Sequence, residues 1–292
     1  MRDDDLGARL FVGLQYLLPQ HLLSRVVHWL ARSRAAWLKN ALIENFVVNY
    51  RPDMSEAAEP DPRKYDSFNA FFTRALRAGA RTVDADPGVL VSPVDGTVSQ
   101  LGRLDGSWLV QAKGLNYTLE SLLDEAAPAW APVFRGGNFA TLYLAPHNYH
   151  RIHMPLAGTL QAAWYVPGAL FSVNATTASQ VPGLFARNER LVCVFADGTL
   201  SFAVILVGAL FVGSMSTVWH GEVTPRTARR RADLPLDFVQ TGLQLARGAE
   251  MGHFNMGSTV ILLLPPGRSA WLENLSSGSA IRMGQALARL TA

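Results

Sequence analysis

Three observations predict a mainly β fold, α+β overall, with amphipathic helices at its N-terminus. From about Val83 onward the chain runs as short β-type stretches punctuated by glycine and proline. Before that, apolar residues recur at helical spacing between about Leu6 and Tyr50. Nowhere do strand and helix patterns alternate, and no glycine-rich phosphate loop occurs, which argues against a dinucleotide-binding fold. The expectation is a β-sandwich or partly closed barrel, residues 51–292, preceded by a helical segment, residues 1–50.

The N-terminal segment reads as a surface anchor. Leu10-Phe11-Val12-Gly13-Leu14-Gln15-Tyr16-Leu17-Leu18 is apolar, but Pro19 ends it, well short of the about 20 residues a spanning helix needs. Met1-Arg2-Asp3-Asp4-Asp5 is net acidic, unlike the basic start of a secretory signal. Leu22, Val26, Trp29 and Leu30 form one helical stripe, and Trp37, Leu38, Leu42 and Ile43 another. Arg25, Arg32, Arg34 and Lys39 interleave with the tryptophans, as in a helix lying among lipid headgroups. The alternative is that these helices pack on the protein's own core. A linker or surface loop follows at Arg51 to Tyr65, and Ser67 is placed to cap a short helix running from Phe68 to Leu76.

Strands are expected at 89–92, 97–101, 139–144, 191–195, 200–207 and 259–264. Asp197-Gly198 marks a hairpin turn, and 119–123 is the one short helix expected in this region.

Composition narrows the chemistry. Hydrophobic residues make up 49% of the 292 and charged ones only 17%, with a formal net charge of +3. That balance suits an anionic surface such as phospholipid better than nucleic acid. The lone Cys193 sits in an apolar run and reads as a buried structural thiol, with no partner for an intrachain disulfide. Lysine occurs only at Lys39, Lys64 and Lys113, which leaves few candidates for the internal aldimine of a pyridoxal-phosphate enzyme.

Four segments hold polar residues that such a β-protein does not need for folding. Ser92-Pro93-Val94-Asp95-Gly96-Thr97-Val98 contains Asp95, which could equally be a turn former. Pro146 to Pro155 contains His147, His150 and His153; no cysteine or carboxylate accompanies them, so no metal is expected. His150 and His153 would face opposite sides of a regular strand and share a site only if the segment turns. Phe254-Asn255-Met256-Gly257-Ser258-Thr259 places a glycine before a serine at the head of an apolar strand. Gln111-Ala112-Lys113-Gly114 offers a cation, Lys113, for a phosphate or carboxylate, or simply a solvated lysine.

Ser92 to Val98, Tyr149 to Pro155 and Phe254 to Thr259, in this order, resemble the signature segments of bacterial phosphatidylserine decarboxylases. So do Phe68-Asn69-Ala70-Phe71-Phe72-Thr73-Arg74-Ala75-Leu76, Gln111 to Gly114 and Val207 to Gly213, so the resemblance covers essentially the whole chain. One departure is Met256, where the family more often has leucine.

The resemblance implies a self-processing proenzyme. Asp95 would orient a histidine, and that histidine would deprotonate Ser258 as general base. Ser258 would attack the Gly257 carbonyl, and the resulting ester would eliminate, leaving Ser258 as a covalent pyruvoyl (pyruvate-derived) cofactor on a small chain, 258–292, beside a large chain, 1–257. Gly257 would leave the carbonyl unhindered. By resemblance His153 serves self-cleavage and His150 decarboxylation, although the residues alone do not separate them; Lys113 is a possible substrate contact. The same resemblance implies conversion of phosphatidylserine to phosphatidylethanolamine and CO₂, a homodimer, and a peripheral place on the cytoplasmic face of the cell membrane. Two other readings stand beside it. A membrane-associated serine hydrolase would use the same residues but lacks a Gly-x-Ser-x-Gly elbow. A non-catalytic lipid-binding β-domain is suggested by the likeness of Ser92 to Val98 and Ile281 to Ala288 to carrier-domain barrels.

Overall fold

The structure is a computed structural model describing residues 3–198, 200–211, 214–224, 232–234, 242–255 and 258–291, without the side chains of 3–5, 232, 233 and 258. Three helices come first: α1 (Asp3–Leu17), α2 (Gln20–Ala31) and α3 (Ala36–Tyr50). Pro19 separates α1 from α2, as its missing N–H and fixed φ require. None of the described helices is long and apolar enough to cross a membrane.

α4 (Phe68–Phe72) begins where expected, with Ser67 Oγ accepting from the Ala70 amide at 3.1 Å. It stops four residues earlier than the apolar spacing suggests. Thr73 is its C-cap, and the Thr73 hydroxyl turns back to the Asn69 carbonyl at 2.9 Å.

The strands are β1 (Val89–Val91), β2 (Gly96–Arg103), β3 (Trp108–Ala112), β4 (Leu115–Thr118), β5 (Asn138–Leu144), β6 (Arg151–His153), β7 (Gly158–Val166), β8 (Arg190–Asp197) and β9 (Leu200–Val207). Then come β10 (Met215–Thr217), β11 (Gly221–Glu222), β12 (Ala232–Asp233), β13 (Gln244–Leu245), β14 (Glu250–Phe254), β15 (Ser258–Leu264), β16 (Ser269–Trp271), β17 (Ala280–Ile281) and β18 (Ala286–Leu290). Four short helices interrupt them: α5 (Leu119–Leu123), α6 (Ala127–Phe134), α7 (Ala175–Ala178) and α8 (Leu184–Arg187). The helix expected at 119–123 is α5; α6, with Pro132 inside it, gave no readable sequence signal.

The largest sheet has the order β12-β7-β8-β9-β15-β5-β2-β17, with β13 also on β7. Beside it stand a four-stranded sheet, β11-β10-β14-β6, a three-stranded one, β1-β18-β16, and the β3–β4 hairpin. The strands pair antiparallel, and none of the sheets closes into a barrel. The β8–β9 hairpin pairs Asp197 with Leu200, and Gly198 takes a φ of 56°, which its missing Cβ permits.

Two cores flank the large sheet, and β15 shows why its sequence is apolar throughout. Val260, Leu262 and Leu264 join the core shared with β6, β10, β14 and β18, while Ile261 and Leu263 join the core under α5, α6 and α8. A strand covered on both faces has no solvent side to mark with polar residues. Cys193 is fully buried in β8, and burial pushes its thiol pKa up, as suits a structural cysteine.

α1 and α2 dock through buried polar groups as well as through Val12 and Ala31. Gln15 accepts from the Ser172 amide at 2.8 Å, and Gln20 from the Leu170 amide at 2.7 Å. Their apolar side faces out: Leu17 is 84% exposed, Trp37 77% and Trp29 71%. α3 differs, because Ile43 and Phe46 are buried against Phe68, Phe71 and Phe72 of α4.

Gly96 marks the tightest approach of β2 to β5, where a Cβ would collide with the Tyr143 carbonyl oxygen. Gly96→Ala should therefore destabilise the fold by about 1–3 kcal/mol in urea unfolding. Gly13→Ala, in open space on α1, should change stability by less than ~1 kcal/mol. Equal effects would contradict this register-dependent contact.

Candidate active site

Three chain connections pass from the large sheet to the four-stranded sheet at one corner. They join β5 to β6, β9 to β10 and β14 to β15. On the large-sheet side Leu144 of β5 pairs with Ser258, and Val207 of β9 pairs with Thr259. On the other side Phe254 pairs with Met215, and His253 with Arg151. The connections are also tied to one another: the Phe254 amide donates to the His150 carbonyl at 3.1 Å, and the Asn255 amide to the Ser214 carbonyl at 3.0 Å. Ser258 thus opens the central strand at the point where the sheets part. Val212, Gly213, Met256, Gly257 and the Ser258 side chain lie outside the described residues.

Asn255 holds the chain just before that serine. It is buried, and its amide group donates to Ser214 Oγ at 2.9 Å and Ser216 Oγ at 3.0 Å. Its carbonyl oxygen accepts from Asn69 Nδ2 of α4 at 3.0 Å. Every polar atom of the side chain is committed, which orients it.

The β5–β6 connection is a turn, so the two histidines escape the strict alternation of a strand. Asn148 closes the turn, its Oδ1 accepting from the Ala145 amide at 2.8 Å. His150 is fully buried, stacked on Phe72 with ring centroids 4.1 Å apart. Its Nε2 lies 3.2 Å from the Pro146 carbonyl, and Nδ1 has no partner among the described residues. A carbonyl only accepts, so Nε2 carries the proton and Nδ1 the lone pair. Burial pushes the His150 pKa down to about 3, so the ring is neutral at physiological pH.

His153 is half-buried at the end of β6 and has the other tautomer. Nδ1 donates to the Gly248 carbonyl at 2.8 Å, and Nε2 accepts from the Tyr149 hydroxyl at 2.9 Å. Burial lowers its pKa also. The accessible basic atom is therefore Nε2, and Tyr149, whose own pKa burial raises, supplies a hydroxyl that sequence reasoning did not single out.

Asp95 reaches this corner because the His153 amide donates to the Pro93 carbonyl at 2.8 Å. Against the effect of burial, Glu250 and, more weakly, Asp95 favour the protonated His153 imidazole. The hydrogen bonds of Asp95, however, go elsewhere: Arg81 Nε donates at 2.9 Å, Arg81 Nη2 pairs with the other oxygen, and the Met283 amide donates at 2.8 Å. Arg81 in turn binds Glu56 at 2.7 Å, and Glu56 binds Arg282 at 3.2 Å. Arg81 thus forks onto Asp95, and the hydrogen bond that orients His153 goes to the Gly248 carbonyl. The hydrogen bonds to Asp95 raise the Arg81 pKa.

Lys113 is not drawn into this group. It occupies the exposed turn of the β3–β4 hairpin with a φ of 46°. Its neighbour Gln111 is structural, bonding the Ala178 and Val181 carbonyls and the Leu184 amide.

The corner therefore brings two neutral imidazoles and the buried Asp95 to the chain connections around the strand that Ser258 opens. The family model described as phosphatidylserine decarboxylase matches residues 68–289, and a second, described as PSD, matches residues 10–51. The phosphatidylserine decarboxylase proenzyme of Methylococcus capsulatus is 51% identical over 285 residues, spanning 97% of each chain. That of Ectopseudomonas mendocina is 53% identical over 280 residues, spanning 96% of this chain and 97% of its own. That of Pseudomonas putida is 51% identical over 283 residues, spanning 97% and 98%. The chain belongs to the phosphatidylserine decarboxylase family.

Proposed function

We propose that the protein decarboxylates phosphatidylserine to phosphatidylethanolamine at a membrane surface, after cutting itself between Gly257 and Ser258. The observation that carries this reading is the meeting of Asp95, His150, His153 and the start of β15 at one corner, in a chain about half identical to named proenzymes.

His153 Nε2 is the general base. It takes the Ser258 hydroxyl proton as Oγ bonds to the Gly257 carbonyl carbon; the Gly257–Ser258 C–N bond breaks and the nitrogen gains a proton. The nearby Glu250 and Asp95 charges stabilise the imidazolium, and Arg81 holds the Asp95 carboxylate in place. Loss of the Ser258 α-proton then expels the Gly257 carboxylate, and water releases ammonia, leaving a pyruvoyl group at residue 258. The corner fits such a group: it is water-poor, it offers an unpartnered buried imidazole nitrogen, and Asn255 holds the preceding chain. A pyruvoyl carbonyl supplies the electron sink that carboxylate loss requires.

The remaining work falls to His150. Its neutral Nδ1 accepts a hydrogen bond from the substrate nitrogen, and that proton passes through it to the α-carbon once CO₂ has left. Phe72 and the surrounding core exclude water from that atom.

The outward apolar side of α1 and α2, with Trp37 on α3, supports membrane contact, because large apolar residues such as Leu17 and Trp29 are exposed while Gln15, Gln20 and Ser24 are buried.

Phosphatidylserine labelled in its carboxyl group should release labelled CO₂ with the wild type and none with Ser258→Ala. His153→Ala should remain uncut, whereas His150→Ala should cut itself yet lose at least about 10²-fold in CO₂ release. Full activity in both histidine variants would remove the mechanism.

The depressed His150 pKa has a consequence for stability. Its unfolded value lies near 6.5, so the unfolded chain binds the proton more readily. The contribution is complete above about pH 6.5 and is lost as pH falls toward 3. Urea unfolding at pH 7.5 and 5.0 should show a steeper loss for wild type than for His150→Asn; parallel losses would contradict the buried neutral ring.

Trp29→Ser combined with Trp37→Ser should reduce sedimentation with anionic vesicles several-fold, in keeping with two interfacial anchors removed. Unchanged sedimentation would exclude this face. Unchanged sedimentation together with a smaller hydrodynamic radius would assign the face to self-association.

A further inference from the structure

A cleft of about 490 Å³ opens beside Asp95 and Tyr149, walled by the linker after α3, by Arg74 and Arg81, and by residues 280–285. Its acidic groups are already engaged. Asp95 and Glu56 are bound by Arg81, Glu56 also by Arg282, and Asp53 accepts from the Ser55 amide and hydroxyl at 2.9 and 2.7 Å.

Arg74 differs from the other cations here. It is 4% exposed, its guanidinium lies 5.7 Å from the Phe71 ring centroid, and Nη2 reaches the His147 and Asn148 carbonyls at 3.2 and 3.5 Å. Among the described residues Nε and Nη1 have no hydrogen-bond partner, and no carboxylate forms an ion pair with the group. Each is a charged N–H donor able to take an anion oxygen. Buried donors left unmatched are costly, and two of them on one guanidinium point to a missing acceptor. Arg51, exposed on the same rim, adds a second cation without a described carboxylate partner.

The place fits the chemistry. Gly96 forms part of the cleft wall, packs on the backbone of Tyr143 and Leu144, and Leu144 pairs with Ser258. The wall therefore lies ~10 Å, about two strand spacings, from Ser258. That is the reach of a guanidinium, a phosphate and the short serine bridge laid end to end.

We propose that this cleft is a phosphate-binding subsite in which Arg74 is the principal ligand and Arg51 the rim cation, taking the phosphodiester of a phospholipid headgroup. The assignment to a headgroup rests on the phosphatidylserine reading; the affinity for phosphate does not. Arg74 anchors the headgroup while the amine and carboxylate extend past Tyr149 toward the corner. Because Asp95 and Glu56 are tied to Arg81 and Arg282, and Asp53 is turned onto Ser55, an entering phosphate meets Arg74 and Arg51.

The test uses the full-length protein, with inorganic phosphate as the first probe and dioctanoyl-phosphatidylserine as the second. Phosphorus NMR should show inorganic phosphate binding to wild type, and the short-chain lipid should displace it. Arg74→Gln should weaken phosphate binding roughly tenfold or more and raise KM for the lipid more than it lowers kcat, the loss expected of one charged ligand. Arg74→Lys, which keeps the charge but loses the fork, should recover part of the phosphate affinity. Phosphate binding that depends on Arg74 but that the lipid does not displace would support the anion site and assign it to free phosphate. Absence of phosphate binding to the wild type at tens of millimolar would overturn the proposal whether or not either variant folds. A wild type that binds phosphate yet releases no CO₂ would fault the functional reading and leave the subsite standing.

Discussion

The structure depends on the pairing of β15 to neighbours on both sides. Thr259 to Leu263 are bonded to β9 on one edge, and Ser258 to Leu264 to β5 on the other. A central strand cannot slip by one residue without turning its whole apolar set into the wrong core. Ser258 is thereby fixed opposite Leu144, and everything chemical is arranged around that register. A break before residue 258 would leave a small chain still carrying β15, the edge strand β17, and β18 between β1 and β16. Such a chain stays in place by sheet pairing and two cores rather than by the covalent link.

Electrostatics at the corner follows from burial. Two imidazoles are held neutral because the core disfavours their charged forms, and carbonyl acceptors select opposite tautomers in them. Arg81 forks onto the buried side chain of Asp95 and is itself shared with Glu56. Buried pairs of this kind are costly to break from one side, since the survivor is left uncompensated. The chain Arg282–Glu56–Arg81–Asp95 therefore links the C-terminal strands and the linker after α3 to the Asp95 side of the corner.

The strands were legible because long apolar runs bounded by glycine and proline have few other uses: 200–207 is β9, and 259–264 lies within β15. The N-terminal helices were legible as amphipathic, but not which side would dock. The docking contacts are made by Gln15 and Gln20, whose buried hydrogen bonds carry no periodic signal. α6 was hidden by its prolines, which read as breakers although Pro128 occupies the first turn, where its missing N–H is harmless. Of the site, the segments holding Asp95, the histidines and Ser258 stood out as polar residues without a folding role. The partners did not: Arg81, Gly248, Tyr149 and Asn69 are brought in by tertiary packing from separate parts of the chain. Lys113 stood out in the same way, yet its hairpin tip carries it to the surface.

The most direct test of the account is the intact mass of the wild-type protein beside Ser258→Ala. The account predicts two wild-type fragments that divide between Gly257 and Ser258, the smaller lacking an N-terminal amine, and a single uncut chain for the variant. A wild-type chain that stays at 31.8 kDa through prolonged incubation with phospholipid would contradict it.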